Sequence, residues 1–314
     1  MGFHQGDPLA TLLFSINLQK IVLRIEQETP NLKQNSWILD DGVLVGGKED
    51  IRKALKIIEE DGPGRGLNLS TAATPGAKSK TSIWCPSSSP ERLEKFPIGM
   101  DIPVMDGSGF THLGAPMGDE AFTANNITEK VDKVKTILET LSSLKDAHFE
   151  YVLLRSCFSM PKMTYLMRTT SPSLTNLSVW RRFDGELREA LGRLLGNNLE
   201  QEAWDQAKLP VSMSGLGLRS TEEHASAAFL GSILDAENRI KTILKQEEVT
   251  IDTDEALNHY REVIEDPTIT SVEHLMQAVG SSQKSLSFRV DSHNRDKLLS
   301  RTTEIRNKAR LQLP

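Results

Sequence analysis

Two apolar runs, Trp37-Ile38-Leu39 and Val43-Leu44-Val45, flank the triplet Asp40-Asp41-Gly42. The pattern predicts a β-hairpin, because Asp-Gly readily adopts the positive φ of a tight turn between strands of β-branched and aromatic residues. A lone two-stranded hairpin is marginal in water and must bury one face against something else. Two amphipathic stretches are available for that. Leu9 to Leu23 carries apolar residues at helical spacing after Pro8, whose fixed φ suits a helix start, and Thr29-Pro30-Asn31 ends it. Asp50 to Glu60 places Ile51, Leu55 and Ile58 on one face.

Short extended segments are expected next, at Leu67-Asn68-Leu69, at Ser82-Ile83-Trp84-Cys85 and over Phe110 to Gly118, the last as strand and turn. Small residues and Pro/Ser/Gly-rich turns separate them. Past residue 120 the period changes to that of helices: Ala124 to Leu144, then 148–168, 174–195, 220–247, 253–265 and 270–280, with a basic helix over 293–311. Leu209 to Leu218 is a glycine-broken connector. Strand signals followed by helix signals give an α+β fold, divided at 1–120, 121–210 and 211–314. No internal repeat is visible.

With 314 residues and 38% hydrophobic content the chain is long enough for about two domains. Aromatics are scarce at 5%, so the cores must be aliphatic. Cys85 and Cys157 are far apart with no CxxC spacing, which excludes a disulfide framework and fits a reduced compartment. No apolar run is long enough for a membrane span, and Met1 to Pro8 has no basic region of a signal peptide. The expected location is intracellular, in cytoplasm or nucleus, with no membrane partner.

The net charge of −6 hides segregation. Residues 151–195 hold seven Lys/Arg (Arg155, Lys162, Arg168, Arg181, Arg182, Arg188, Arg193) against three acids, while 220–275 holds thirteen acids against four bases. Segregated charge suits a polyanion-binding face; the plainer reading is a set of solvated helix faces.

Asp40 and Asp41 are the candidate chemistry. Adjacent carboxylates at a hairpin tip repel one another and suit Mg²⁺, a hard cation that prefers oxygen ligands. Two-metal phosphoryl transfer uses such carboxylates to clamp attacking and leaving oxygens. Taken alone the triplet is also an ordinary turn sequence. Rival chemistries find no support. The seven histidines form no ligand pair at helix spacing, no GxSxG elbow occurs, and Gly62 to Gly66 is not followed by a helix as a phosphate loop would be.

The order of the motifs is more specific than any one of them. Gly2-x-x-Gln5-Gly6-Asp7-Pro8-Leu9, followed by Leu13-Phe14, resembles the motif that opens the helix beneath the nucleotide in reverse transcriptases of non-LTR (LINE-like) retrotransposons. Ile38-Leu39-Asp40-Asp41 resembles their two-aspartate hairpin. Gly66-Leu67-Asn68-Leu69 with Lys78 or Lys80 is similar to the next palm motif, and His112-Leu113-Gly114 to the primer-grip strand. The resemblance implies a partial polymerase palm over 1–120, a helical thumb over 121–210 and a C-terminal helical region with a basic tail. It implies RNA-directed DNA polymerase chemistry with Mg²⁺, an RNA template and a DNA primer.

By position, Asp40 and Asp41 would be the catalytic, metal-binding carboxylates, and Lys78 would sit near the departing pyrophosphate. Gln5, Gly6, Asp7 and Pro8 would shape the pocket for template base and incoming nucleotide. His112, Leu113, Gly114, Arg155, Lys162, Arg168, Arg181 and Arg182 would contact nucleic acid. The family's further metal-binding aspartate and its fingers lie ahead of the Gln-Gly-Asp-Pro motif, where this sequence has only Met1 to His4. The expectation is therefore an incomplete Mg²⁺ site and no polymerase activity from the isolated chain. Two other readings stay open: a non-catalytic nucleic-acid-binding remnant, and a helical interaction protein.

Overall fold

The computed structural model describes residues 6–71, 79–85, 102–105, 107–244, 251–303, 308–309 and 311. The fold is α+β, dominated by helix with a few short strands. It forms two compact units, Met1–Ser108 with Arg239–Val249, and Gly109–Asn238 with Thr250–Pro314.

In the first unit, helix α1 (Ala10–Glu28) is followed by strands β1 (Gln34–Ile38) and β2 (Asp41–Val45), then helix α2 (Lys48–Asp61). α2 begins with Glu49 and Asp50, whose charges complement the positive end of the helix. Its core is aliphatic, as composition requires: Ile21 and Ile25 of α1 meet Ala54, Ile57 and Ile58 of α2, with Leu32, Trp37, Leu44, Leu67 and Leu69 around them. The Arg24 guanidinium spans both helices, donating to Glu28 at 2.7 Å, Asp61 at 2.9 Å and Glu60 at 3.1 Å. Asn35 ties β1 to α1 by donating to the Val22 carbonyl at 3.1 Å.

Leu67-Asn68-Leu69 does not form the expected strand. The Leu67 N–H is bonded to the Gly62 carbonyl at 3.0 Å in the turn that closes α2, so it has no donor left for a ladder. Both leucines pack against the core instead. The Ser82–Cys85 strand is present as β3 (Ile83–Trp84), in parallel register with β4 (Val104–Met105).

In the second unit, strands β5 (Gly109–His112) and β6 (Ala115–Gly118) form an antiparallel hairpin, and helices follow. α3 (Glu120–Thr140) and α6 (Leu174–Leu195) pack along one another; Asp119 caps the former and Ser173 the latter. Between them, over the stretch 148–168 expected to be helical, lie α4 (Ala147–Leu153), a π-helical segment Leu154–Phe158 and α5 (Met160–Thr169), which has Pro161 in its first turn. Ile127, Val131 and Val134 of α3, Met163 and Met167 of α5, and Trp180, Phe183 and Leu187 of α6 form the main core.

α7 (Gln201–Lys208), α8 (Thr221–Leu244), α9 (Asp254–Val263), α10 (Val272–Ala278) and α11 (Gln283–Arg301) complete the chain. A second core gathers Leu230, Leu257, Tyr260, Leu286 and Val290. The C-terminal helix starts ten residues before the expected 293, because Ser282 caps it by accepting from the Ser285 N–H and because Leu286 and Val290 are buried. No helix among the described residues is long and apolar enough to cross a membrane.

Candidate nucleic-acid interface

The acidic hairpin forms where the sequence placed it. Its register runs from Gln34 opposite Val45 to Ile38 opposite Asp41. The turn is therefore Leu39-Asp40, two residues earlier than the Asp41-Gly42 pair, and the positive φ falls on Leu39 at 58°. Gly42 serves another purpose. A Cβ built there would lie 2.5 Å from the Trp37 ring, so glycine is what lets the indole lie across the opposite strand. Trp37 is anchored there by donating from its indole nitrogen to Asn35 at 2.8 Å.

Asp40, in the turn, and Asp41, the first residue of β2, are both exposed. Among the described residues no cluster of three or more His, Cys, Asp or Glu is able to hold a metal ion. Two carboxylates are fewer than a two-metal centre requires, so these residues by themselves do not fit a complete Mg²⁺ site.

Gln5 and Lys78 lie outside the described residues. Gly6 has a φ of 99°, and the Asp7 carboxylate accepts from the Leu9 N–H at 2.8 Å, a local turn bond at the entrance to α1. Pro8 sits in that same turn.

The second unit draws together residues that the sequence treats separately. In the β5–β6 turn, Leu113 (φ 49°) and Gly114 (φ 81°) both have positive φ, as a two-residue hairpin of type I′ demands. The Tyr165 hydroxyl of α5 donates to the Leu113 carbonyl at 2.7 Å. Its ring passes so close that a Cβ on Gly114 would sit 3.6 Å from it. α5 starts with Pro161 in its first turn and buries Met163, Leu166 and Met167. Lys162, Tyr165 and Arg168 fall three residues apart on its exposed side. The turn at His112, Leu113 and Gly114 and the cations Lys162 and Arg168 thus share one surface, with Tyr165 as the link. Neither cation forms an ion pair among the described residues.

The other predicted cations are engaged elsewhere. Arg181 holds Glu222 at 2.6 and 3.0 Å, which raises its already high pKa. Arg182 is paired with Asp132. Arg188 donates to Gln201 at 2.9 Å and to the Leu199 carbonyl. Arg155, in the π-helical segment, keeps its guanidinium 5.9 Å from the Tyr151 ring centre and its stem against Gly217. Tyr151 donates in turn to the Leu216 carbonyl at 2.9 Å. Sequence reasoning missed Tyr165, although its place midway between two lysine/arginine positions on one helix was available as a signal.

Elsewhere in the second unit a buried carboxylate organises the helices. Asp184 of α6 accepts from the N–H groups of Thr221 (2.7 Å) and Glu222 (3.2 Å) and from the hydroxyls of Ser220 and Thr221. It caps the start of α8 from across the core. Burial pushes its pKa up to about 6 against the opposing pull of those hydrogen bonds.

Over 229 residues the chain is 23% identical to the retrotransposable element SLACS 132 kDa protein of Trypanosoma brucei gambiense. The chain is related to a retrotransposon protein. The matched stretch covers 72% of this chain but 18% of the retrotransposon protein, so the chain spans less than a fifth of that relative's length. No family model and no solved structure matches.

Proposed function

We propose that the chain is a reverse-transcriptase-related part of a retroelement protein, and that its second unit grips a primer–template duplex. The observation that carries this is the single surface formed by the Leu113-Gly114 turn, Tyr165, Lys162 and Arg168. An exposed backbone turn, an aromatic ring and two cations without an acidic partner among the described residues are the groups that hold phosphates without reading sequence. The relationship to a retrotransposon protein supports the same reading, as does the order of the four motifs across residues 1–118. Asp40 and Asp41 would be two of the palm carboxylates, and further ligands would be needed to hold Mg²⁺.

Two measurements test the reading. Fluorescence anisotropy with a labelled RNA–DNA primer–template should show binding that weakens steeply with salt, and Lys162→Ala with Arg168→Ala should weaken it further. Primer extension with Mg²⁺ on the isolated chain should give no incorporation above background. Salt-independent binding, or none, removes the duplex-gripping role. Incorporation by the isolated chain removes the claim that Asp40 and Asp41 lack sufficient partners.

A further inference from the structure

Helix α1 is apolar on two opposite sides. On one side Leu18, Ile21 and Ile25 are buried, the two isoleucines against α2. On the other side Leu9, Leu12, Leu13, Ile16 and Leu23 are exposed, Ile16 by 53% and Leu9 by 59%. Ile16 lies nine residues before Ile25, about 180° round the helix from it. Leu9, Ile16 and Leu23 follow at intervals of seven, which keeps them in line to within about 20° per step. A surface helix normally turns a polar side to water, and one that is apolar on both sides is normally covered on both.

Symmetry and charge specify the cover. The stripe is symmetric about Ile16, with a leucine seven residues away in each direction. A second α1 laid antiparallel across the first therefore sets Leu9 beside Leu23 of the second copy and Ile16 on Ile16, and the two-fold axis repeats each contact. Leu12 and Leu13 then face Lys20 of the second copy, whose methylene stem covers apolar surface while its ammonium stays in water. Residues 8–19 carry no charged side chain; the flanking charges are Asp7 before them and Lys20 after them. Neither forms an ion pair among the described residues. Antiparallel pairing carries each Lys20 towards the acidic end of the other helix. Parallel pairing would stack Lys20 on Lys20 and Asp7 on Asp7, which repel.

We infer that the outer face of α1 is an interface with a second copy of this chain, an antiparallel α1–α1 pair with its two-fold axis at Ile16. The first unit carries it, and it does not depend on the proposed grip on nucleic acid. From Leu9 to Leu23 the seam is about 21 Å long. That is a small interface, so the expected dissociation constant is on the order of 10 µM.

Sedimentation equilibrium of the full chain from about 1 to 200 µM, a range that brackets that affinity, should show a monomer–dimer equilibrium. Ile16→Glu changes an exposed side chain and leaves the buried side of α1 alone. It would bury two carboxylates at the axis, so the dissociation constant should rise by about a hundredfold or more with the unfolding midpoint unchanged. Should that variant fail to fold, Lys20→Glu replaces it and should weaken the dimer about tenfold. Lys162→Ala with Arg168→Ala should leave the dimer intact, which separates this outcome from the fate of the nucleic-acid reading. Orientation is read by cross-linking in chains whose Cys85 and Cys157 are replaced by serine. Ile16→Cys should oxidise to a covalent dimer. Leu9→Cys and Leu23→Cys should cross-link to each other when mixed, and neither to itself. A monomer throughout the range, a dimer indifferent to Ile16→Glu, or Leu9→Cys chains that cross-link among themselves overturns the inference. So does a monomer that binds phosphatidylcholine vesicles and loses them on Ile16→Glu, because the face would then belong to a lipid surface.

Discussion

The Tyr165 phenol donates to the Leu113 carbonyl, fastening a strained two-residue turn to the exposed face of a helix fifty-two residues further along the chain. Leu113 is a non-glycine residue at positive φ, a conformation that costs free energy and persists only when its surroundings hold it. Tyr165→Phe keeps the ring against Gly114 and removes only the hydrogen bond. The variant should lose about 1 kcal/mol of stability and show faster amide exchange across His112 to Ala115. Unchanged exchange there would mean the turn does not need the phenol.

The cations of the second unit should separate into two classes. Lys162→Ala and Arg168→Ala remove charges that have no acidic partner among the described residues, so each should lower the slope of log affinity against log salt for a duplex by about 1. Arg181→Ala breaks the contact with Glu222 and should leave that slope unchanged. Anisotropy titrations at several salt concentrations distinguish the classes. Equal effects from all three substitutions would show that the ion pair opens to serve nucleic acid.

Much of the first unit could be read from residue order, because local rules set it. α1 and α2 follow their apolar period, and the hairpin follows its two apolar runs. The turn itself was misplaced by two residues. Asp-Gly is a strong local signal, but the register is fixed by Trp37 lying over Gly42, a contact across the sheet that turn propensity does not contain. α7 escaped for a similar reason: Gln201 to Lys208 is polar, and only Trp204 and Ala207 are buried. At the candidate interface the cations were visible but their partners were not. Arg182 and Asp132 are fifty residues apart in sequence, and nothing local distinguishes that arginine from Arg168.

Gly42→Ala should destabilise the first unit. The added methyl would meet the indole at 2.5 to 2.8 Å, and Trp37 is held by Asn35, so one of them must shift. Overpacking of this kind costs about 1–3 kcal/mol. Denaturation followed by Trp37 fluorescence, with the other tryptophans replaced, should show an earlier transition. An unshifted midpoint would mean that the ring moves aside without cost.

The Asp184 carboxyl makes a signed prediction about pH. Its folded pKa of about 6 lies above the ordinary 3.8, so between those values the folded chain binds more protons than the unfolded chain does. Stability must then fall as pH rises through that window, by about 3 kcal/mol from this group alone. Asp184→Asn cannot titrate and loses that dependence, while every other group contributes alike to both proteins. The variant should therefore gain on the wild type by about that amount between pH 4 and pH 7, whatever its absolute stability. Urea denaturation at intervals across the window measures the difference directly. Parallel stability curves would show that the four donors around Asp184 outweigh its burial and keep the carboxylate ionised throughout.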